Sequence, residues 1–325
     1  MIKHRKGIII AALTCLAIGF AIGIYVGKSR GIPFITTQPV WSIGIYTGES
    51  PFNLAPPENI NNPVLTARDV TDVTAEFVAD PFMVKEGSSW YMFFEVWNSW
   101  DRQGDIGLAV SSDGVNWAYK QIVLNEAFHL SYPYVFKWKN EYYMIPETYQ
   151  ASSVRLYKAI DFPAQWVFVR TLLYGSYLDP SIFRHAGKWW IFVGTNIEKN
   201  DTLRLFYADN PAGPWVEHPA SPVIEGDANI ARPGGRVLVF DGRLVRYTQD
   251  DDPVYGNQVR AFEITELTTS GYKEKELPGS PVLKPGGTGW NRDGMHNIDP
   301  YRTGKNKWMA VVDGNRSGLV FGLTH

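Results

Sequence analysis

One cysteine stands among 325 residues, Cys15, and it lies in the N-terminal apolar run, so the rest of the chain cannot form a disulfide. That is compatible with an oxidising compartment without requiring one. Other signatures are missing as well. No Gly-rich phosphate loop, no His-x-x-x-His or Cys-x-x-Cys metal spacing and no Gly-x-Ser-x-Gly nucleophile elbow can be found, which argues against those chemistries. The motifs therefore call for no cofactor and no resident metal. Basic charge is short too. Residues 1–30 hold five of the 31 Lys+Arg and none of the 33 Asp+Glu, leaving 26 basic against 33 acidic residues, a net −7, for the remainder. Such a surface disfavours nucleic acid or anionic lipid as a partner.

Charge is absent altogether from residues 8–27, a run of 20 positions long enough to span a hydrocarbon core as a helix. Lys3, Arg5 and Lys6 precede it and Lys28 and Arg30 follow. The bias predicts a cytoplasmic N-terminus and an extracytoplasmic remainder. A cleaved signal peptide is the rival reading. The run is long for one, and Tyr25-Val26-Gly27 makes a poor cleavage site, so the expectation is an uncleaved single-pass anchor within residues 1–30. Gly19, Gly23 and Gly27 form two overlapping G-x-x-x-G spacings. These suit a helix dimer, although glycine is common in membrane helices in any case.

What is present is a repeat. Five short segments centred on a proline recur: Ala79-Asp80-Pro81-Phe82, Ser131-Tyr132-Pro133-Tyr134, Leu178-Asp179-Pro180-Ser181, Ala231-Arg232-Pro233-Gly234 and Ile298-Asp299-Pro300-Tyr301. Their prolines are 52, 47, 53 and 67 residues apart, a period that signals a solenoid, propeller or array. Each is followed by an aromatic strand such as Trp90-Tyr91-Met92-Phe93-Phe94 or Trp189-Trp190-Ile191-Phe192-Val193, then by a third apolar strand. A polar turn then ends on Trp117, Trp166, Trp215 or Tyr272. Short β-branched and aromatic strands at this spacing predict an all-β, five-bladed β-propeller over residues 31–325. The fifth unit runs out after three strands, so residues 41–48 are expected to complete it and remove an open edge. Most of the 12 tryptophans sit at repeat-equivalent positions and read as core.

In a propeller the start of each blade's first strand and the end of its second lie at one face. The first strands bring Asp80, Tyr132, Asp179, Arg232 and Asp299 there; the second strands bring Glu95, Glu147, Gly194, Gln249 and Asp313. Asp-Pro alone can be a turn cap. Here, however, proline recurs in all five units and aspartate in three, so the fold does not demand the carboxylate. Glu95 and Glu147 also interrupt apolar strands. Crowded carboxylates drive their pKa values apart, one staying an acid while another serves as a base. Trp97, Trp100 and Tyr149 follow the second strands and offer faces for sugar stacking. The loop Gly289–Asn297 brings His296 to the same end. Arg232 reads either as a planar fork for an anionic glycan or as an ion pair that neutralises the funnel.

Asp80-Pro81-Phe82 with Trp90-Tyr91-Met92-Phe93-Phe94, the turn Ser112-Asp113-Gly114-Val115-Asn116-Trp117 and Ala212-Gly213-Pro214-Trp215 resemble the five-bladed glycoside hydrolases of families 43 and 32. More closely, Trp41-Ser42-Ile43-Gly44, Phe77-Val78-Ala79-Asp80-Pro81-Phe82 and Gly294-Met295-His296-Asn297-Ile298-Asp299 resemble the propeller at the N-terminus of plant glucosamine inositolphosphorylceramide transferases and its bacterial stand-alone relatives. The hydrolase resemblance implies Asp80 as base or nucleophile and Asp179 as the group that tunes pKa. Where family 43 places an acidic Glu-Gly-Pro, this chain has Ala231-Arg232-Pro233-Gly234, so the acid falls to Glu147 or else Glu95. Transferase chemistry in the plant proteins resides in a separate domain and is not carried over. Two readings follow: a membrane-anchored, extracytoplasmic glycoside hydrolase-like protein acting on a polysaccharide or glycoconjugate, or a non-catalytic carbohydrate-binding propeller that assists polysaccharide assembly or export.

Overall fold

The computed structural model describes residues 13–16, 18–20 and 35–321. The expected span over 8–27 otherwise falls outside the described residues, as do Gly23 and Gly27. Residues 13–16 and 18–20, Gly19 among them, are helical and exposed. Among the described residues no helix is long and apolar enough to cross a membrane. The chain divides into a unit of residues 41–316 and another of residues 1–40 with 317–325.

Residues 41–316 carry five antiparallel sheets, the blades of a propeller. Blade one runs Ala75–Glu86, Ser89–Asn98, Gln103–Ser111, Ala118–Leu124; blade two runs Ser131–Trp138, Glu141–Glu147, Ser153–Asp161, Gln165–Tyr174. Blade three begins with Leu178–His185, Lys188–Thr195 and Thr202–Ala208, and blade four has Leu238–Phe240, Arg243–Asp250, Gln258–Leu267 and Tyr272–Glu276. In the fifth sheet Ile298–Gly304 pairs with Lys307–Phe321, and Ile35–Ser50 lies on the other side of that strand. Among the described residues the first strand therefore stands beside the last, so the fifth sheet joins segments far apart in sequence. Aromatic and β-branched residues on alternating positions fill the space between blades. One such cluster joins Ile43, Val78, Trp90, Phe94 and Val311; another joins Tyr134, Ile145, Trp189 and Phe206.

Two local devices set the site. In blades one to three the residue before the repeated proline adopts a left-handed backbone, with φ of 52° at Asp80, 45° at Tyr132 and 46° at Asp179. The register slips there each time: Ala79 faces Glu95 but Phe82 faces Phe93, Ser131 faces Glu147 but Tyr134 faces Ile145, and Leu178 faces Gly194 but Ser181 faces Phe192. Two residues thus oppose one, a β-bulge, which bends the strand and re-aims a side chain. Aspartate tolerates a positive φ better than most residues. Blade five has no such bulge, since Asp299 faces Val311 in regular register.

Blade four departs from the sequence reading. Around Arg232 the first strand is reduced to isolated bridges, Pro233 with Thr248 and Gly235 with Ile298, and the continuous strand starts only at Leu238. Gly235 (φ 150°) passes so close to blade five that an added Cβ would stand 2.0 Å from the Ile298 carbonyl oxygen. The channel below the mouth is filled with side chains. The Tyr132 hydroxyl accepts from the Gly235 N–H at 2.7 Å. Arg236 binds Asp299 through Nε at 2.7 Å and Nη2 at 3.2 Å, and donates from Nη1 to the Val135 carbonyl at 2.9 Å.

Candidate active site

The bulges and strand ends converge on a cavity of ≈510 Å³, walled by Asp80, Glu95, Glu147, Tyr149, Arg232 and His296 together with Trp41, His129, Asn200 and Tyr255. Asp80 is one of its lining residues. Its Oδ2 accepts from the Tyr132 N–H at 3.2 Å, and its own N–H donates to Asp313 Oδ2 at 2.9 Å. Buried Asp80 Oδ1 accepts no hydrogen bond from the described residues; His296 Nε2 lies 3.7 Å away. A buried carboxylate oxygen without a partner, on a strained backbone, marks a functional candidate.

His296 is clamped. Its Nδ1 lies 2.7 Å from Asp313 Oδ2, its ring stacks on Trp41 with centroids 3.8 Å apart, and Tyr255 meets it edge-on at 5.4 Å. Burial works against a proton on the ring, but Asp313 and Asp80 outweigh it and raise His296 to about 9. Burial, offset by His296 and reinforced by Asp179 and Asp313, lifts Asp80 to about 7. The ligand atoms of Asp80, His296 and Asp313 lie within 4.8 Å of one another. The fold assembles this trio from distant positions that linear spacing does not join. A protonated imidazole there pairs with Asp313 and faces Asp80 without hydrogen-bonding it, and a metal could bind only with release of that proton.

Glu95 and Glu147 are both buried and both pushed well above the usual carboxylate range. For Glu95 the causes are burial and then Asp80, Glu147, Asp179 and Asp313, all of which raise it. For Glu147 burial and Asp179 raise the value while Arg232 opposes; its Oε2 accepts from the Asp179 N–H at 3.1 Å. His129 approaches Glu95 with Nε2 at 3.7 Å, and its Nδ1 accepts from the Gly104 N–H at 2.8 Å. Burial and then Arg232 lower His129 to about 4, so it is a neutral neighbour with its remaining proton on Nε2.

Arg232 is both wall and clamp. Nε binds Asp179 Oδ2 at 2.5 Å, Nη1 donates to Asn200 at 3.2 Å, Nη2 lies 3.6 Å from Glu147, and the guanidinium sits 5.1 Å from the Tyr255 ring centroid. Gln249 Nε2 donates to the same Asp179 oxygen at 2.7 Å. Gly194 lies beside this clamp, where an added Cβ would meet the Arg232 Cγ only in ordinary contact at 3.7 Å. Blades one and two carry glutamate at the matching position.

The sequence-predicted residues therefore separate by position. Asp80, Glu95, Glu147, Tyr149, Arg232 and His296 share the cavity wall. Asp179, Gln249 and Asp313 are buried behind it, holding Arg232 and His296. Asp299, lacking a bulge, is directed to Arg236 and to the Met83 N–H at 2.7 Å. Trp97 stacks on the cavity residue Phe77 with centroids 5.6 Å apart, whereas Trp100 lines a different groove. Trp41, His129, Asn200, Tyr255 and Arg236 were missed, because they lie outside the repeated positions that organised the reading.

Residues 36–315 match the family model described as glucosamine inositolphosphorylceramide transferase 1, N-terminal. The chain belongs to that family. It is 39% identical over 297 residues to glucosamine inositolphosphorylceramide transferase 1 of Oryza sativa subsp. japonica, covering 85% of this chain and 40% of the rice protein. The Arabidopsis thaliana protein of the same name is 36% identical over 304 residues, 86% of this chain and 40% of its own length. The chain thus spans about 40% of the length of these relatives. Among solved structures, a putative glycoside hydrolase from Parabacteroides distasonis superposes with a TM-score of 0.58 at 11% identity, over 83% of this chain and 97% of that one. The catalytic domain of a Coprinopsis cinerea GH62 alpha-L-arabinofuranosidase gives 0.54 at 11% identity, over 74% and 92%. At such identities the likeness is one of fold. The comparisons thus show the family and the propeller fold.

Proposed function

We propose that this propeller is a glycoside hydrolase-like protein acting on a polysaccharide or glycoconjugate, held by a single N-terminal span with its cavity on the extracytoplasmic side. The observation that carries the reading is Asp80: an unpartnered buried carboxylate oxygen at a strained bulge, in a cavity that also holds two glutamates pushed well above the usual carboxylate range. Ionised Asp80 acts as nucleophile at the anomeric carbon or as base toward the attacking water, and a carboxylic acid protonates the departing oxygen. Glu95 suits the acid role better than Glu147, because each of its leading influences favours the proton whereas Arg232 works against protonation of Glu147. Asp179, locked by Arg232 and Gln249, fixes the charge of the wall behind them.

The test uses the full chain in detergent with a panel of oligosaccharides and a reducing-end assay. Turnover that disappears in Asp80→Asn supports the reading; asparagine also tolerates a positive φ, so the backbone is preserved. One observation favours a second reading, a carbohydrate-binding propeller without turnover: Arg232 stands where the resembling hydrolases carry their acid. Binding without new reducing ends would establish it.

A further inference from the structure

Beside blade one lies a second concavity of ≈380 Å³, lined by Thr71, Asp72, Val73, Thr74, Asn98 and Trp100. Trp100 is 82% exposed and belongs to none of the hydrophobic clusters formed by the described residues. It is nevertheless held in place. Its indole N–H donates to Thr74 Oγ1 at 3.1 Å, and its backbone N–H donates to Asn98 Oδ1 at 3.0 Å. Asn98 is itself anchored, donating from Nδ2 to Asp105 at 3.1 Å and to Asp101 at 3.2 Å. Asp72 is fixed from both sides, accepting from the Ile122 N–H at 2.7 Å and from the Tyr119 hydroxyl.

An exposed indole contributes little to the core, and ordering it costs conformational entropy. Here that ordering is already in place, which is the economical arrangement for a binding platform. One aromatic face surrounded by hydroxyl, amide and carboxylate groups suits a pyranose ring, whose apolar face stacks while its hydroxyls hydrogen-bond. A protein-docking patch would instead be expected to group several apolar side chains. The groove and the cavity are separate but both adjoin the same end of blade one. Asn98 pairs with Ala75 at the mouth end of blade one, the next residue back, Trp97, stacks on Phe77, and Phe77 lines the main cavity.

We infer that the Trp100 groove is a remote glycan subsite, holding a sugar unit of a chain whose cleaved or bound portion occupies the Asp80 cavity. The inference rests on the glycan reading of that cavity.

It is tested by affinity electrophoresis of the full chain through gels containing arabinan, xylan or polygalacturonate, comparing wild type with Trp100→Ala and Trp100→Phe. Retardation of the wild type by one of these polymers should weaken roughly tenfold in Trp100→Ala and recover largely in Trp100→Phe. Tryptophan fluorescence should shift on adding the same polymer, and the shift should shrink in Trp100→Phe to the part that Trp41 in the cavity contributes, although binding persists. Equal retardation of wild type and Trp100→Ala would overturn the groove while leaving the cavity reading intact. A wild type that neither binds nor cleaves any glycan would overturn both. If Trp100→Ala changes retardation while the fluorescence shift is undiminished in Trp100→Phe, Trp100 does not contact the sugar and the inference also fails.

Discussion

At the scale of single residues, the site is governed by buried charge. Arg232 is tied to Asp179, Asn200 and Tyr255 and flanks Glu147, so replacing it by methionine leaves Asp179 buried with only Gln249 to compensate. Loss of one partner from a buried ion pair typically costs about 3–5 kcal/mol. Urea denaturation of Arg232→Met should show a loss of that order, and a variant as stable as wild type would contradict the clamp. His296 gives a second prediction. Its folded pKa of about 9 exceeds the ordinary 6.5, so its contribution is complete below pH 6.5 and fades as pH rises through 9. Asp80, raised from 3.8 to about 7, acts in the same sense over a lower window. Stability should therefore fall between pH 6.5 and 9, with a shallower slope in His296→Gln, as read from denaturation at each pH.

At the scale of elements, the repeated bulge explains what could and could not be read from the sequence. The proline period locates five first strands, and the second-strand partners Glu95 and Glu147 follow from antiparallel pairing. This much was legible, because period and pairing are written in local residue types. Whether a carboxylate can turn toward the mouth depends on backbone φ and on what its neighbours hold, which the letters Asp-Pro do not disclose: Asp179 shares the bulge but is held behind the wall by Arg232. Asp80 and Asp299 share a motif, yet the bulge turns the first to the mouth while regular register leaves the second on Arg236. Tyr255 and His129 were invisible for a related reason: they sit in loops whose course is set by tertiary packing. The blade-four break makes a prediction at this scale. Gly235→Ala adds a Cβ 2.0 Å from the Ile298 oxygen at a φ of 150°, forcing apart the contact between blades four and five. It should destabilise by more than about 3 kcal/mol, seen as a lowered thermal midpoint. An unchanged midpoint would mean that the bridge is dispensable.

For the whole molecule, closure and function meet in one segment. Residues 41–50 lie beside the last strand, bury Trp41, Ile43, Ile45 and Tyr46, and place Trp41 against His296. A chain beginning after Ser50 should lose the fifth sheet's partner strand, expose apolar surface and aggregate, whereas the same chain with residues 41–50 restored should be soluble. Soluble product from the shorter chain would contradict that role. The proposed anchor is tested separately: the full chain should resist alkaline carbonate extraction from membranes.

The central claim, that the Asp80 cavity cleaves glycosidic bonds, is tested most directly by the pH dependence of reducing-end release. With Asp80 raised to about 7 and required in its ionised form, kcat/KM should rise through pH 7 and fall at higher pH as the protonated glutamate is lost. The profile should collapse in Asp80→Asn. Release that persists undiminished in Asp80→Asn, or glycan binding without release at any pH, would contradict the account.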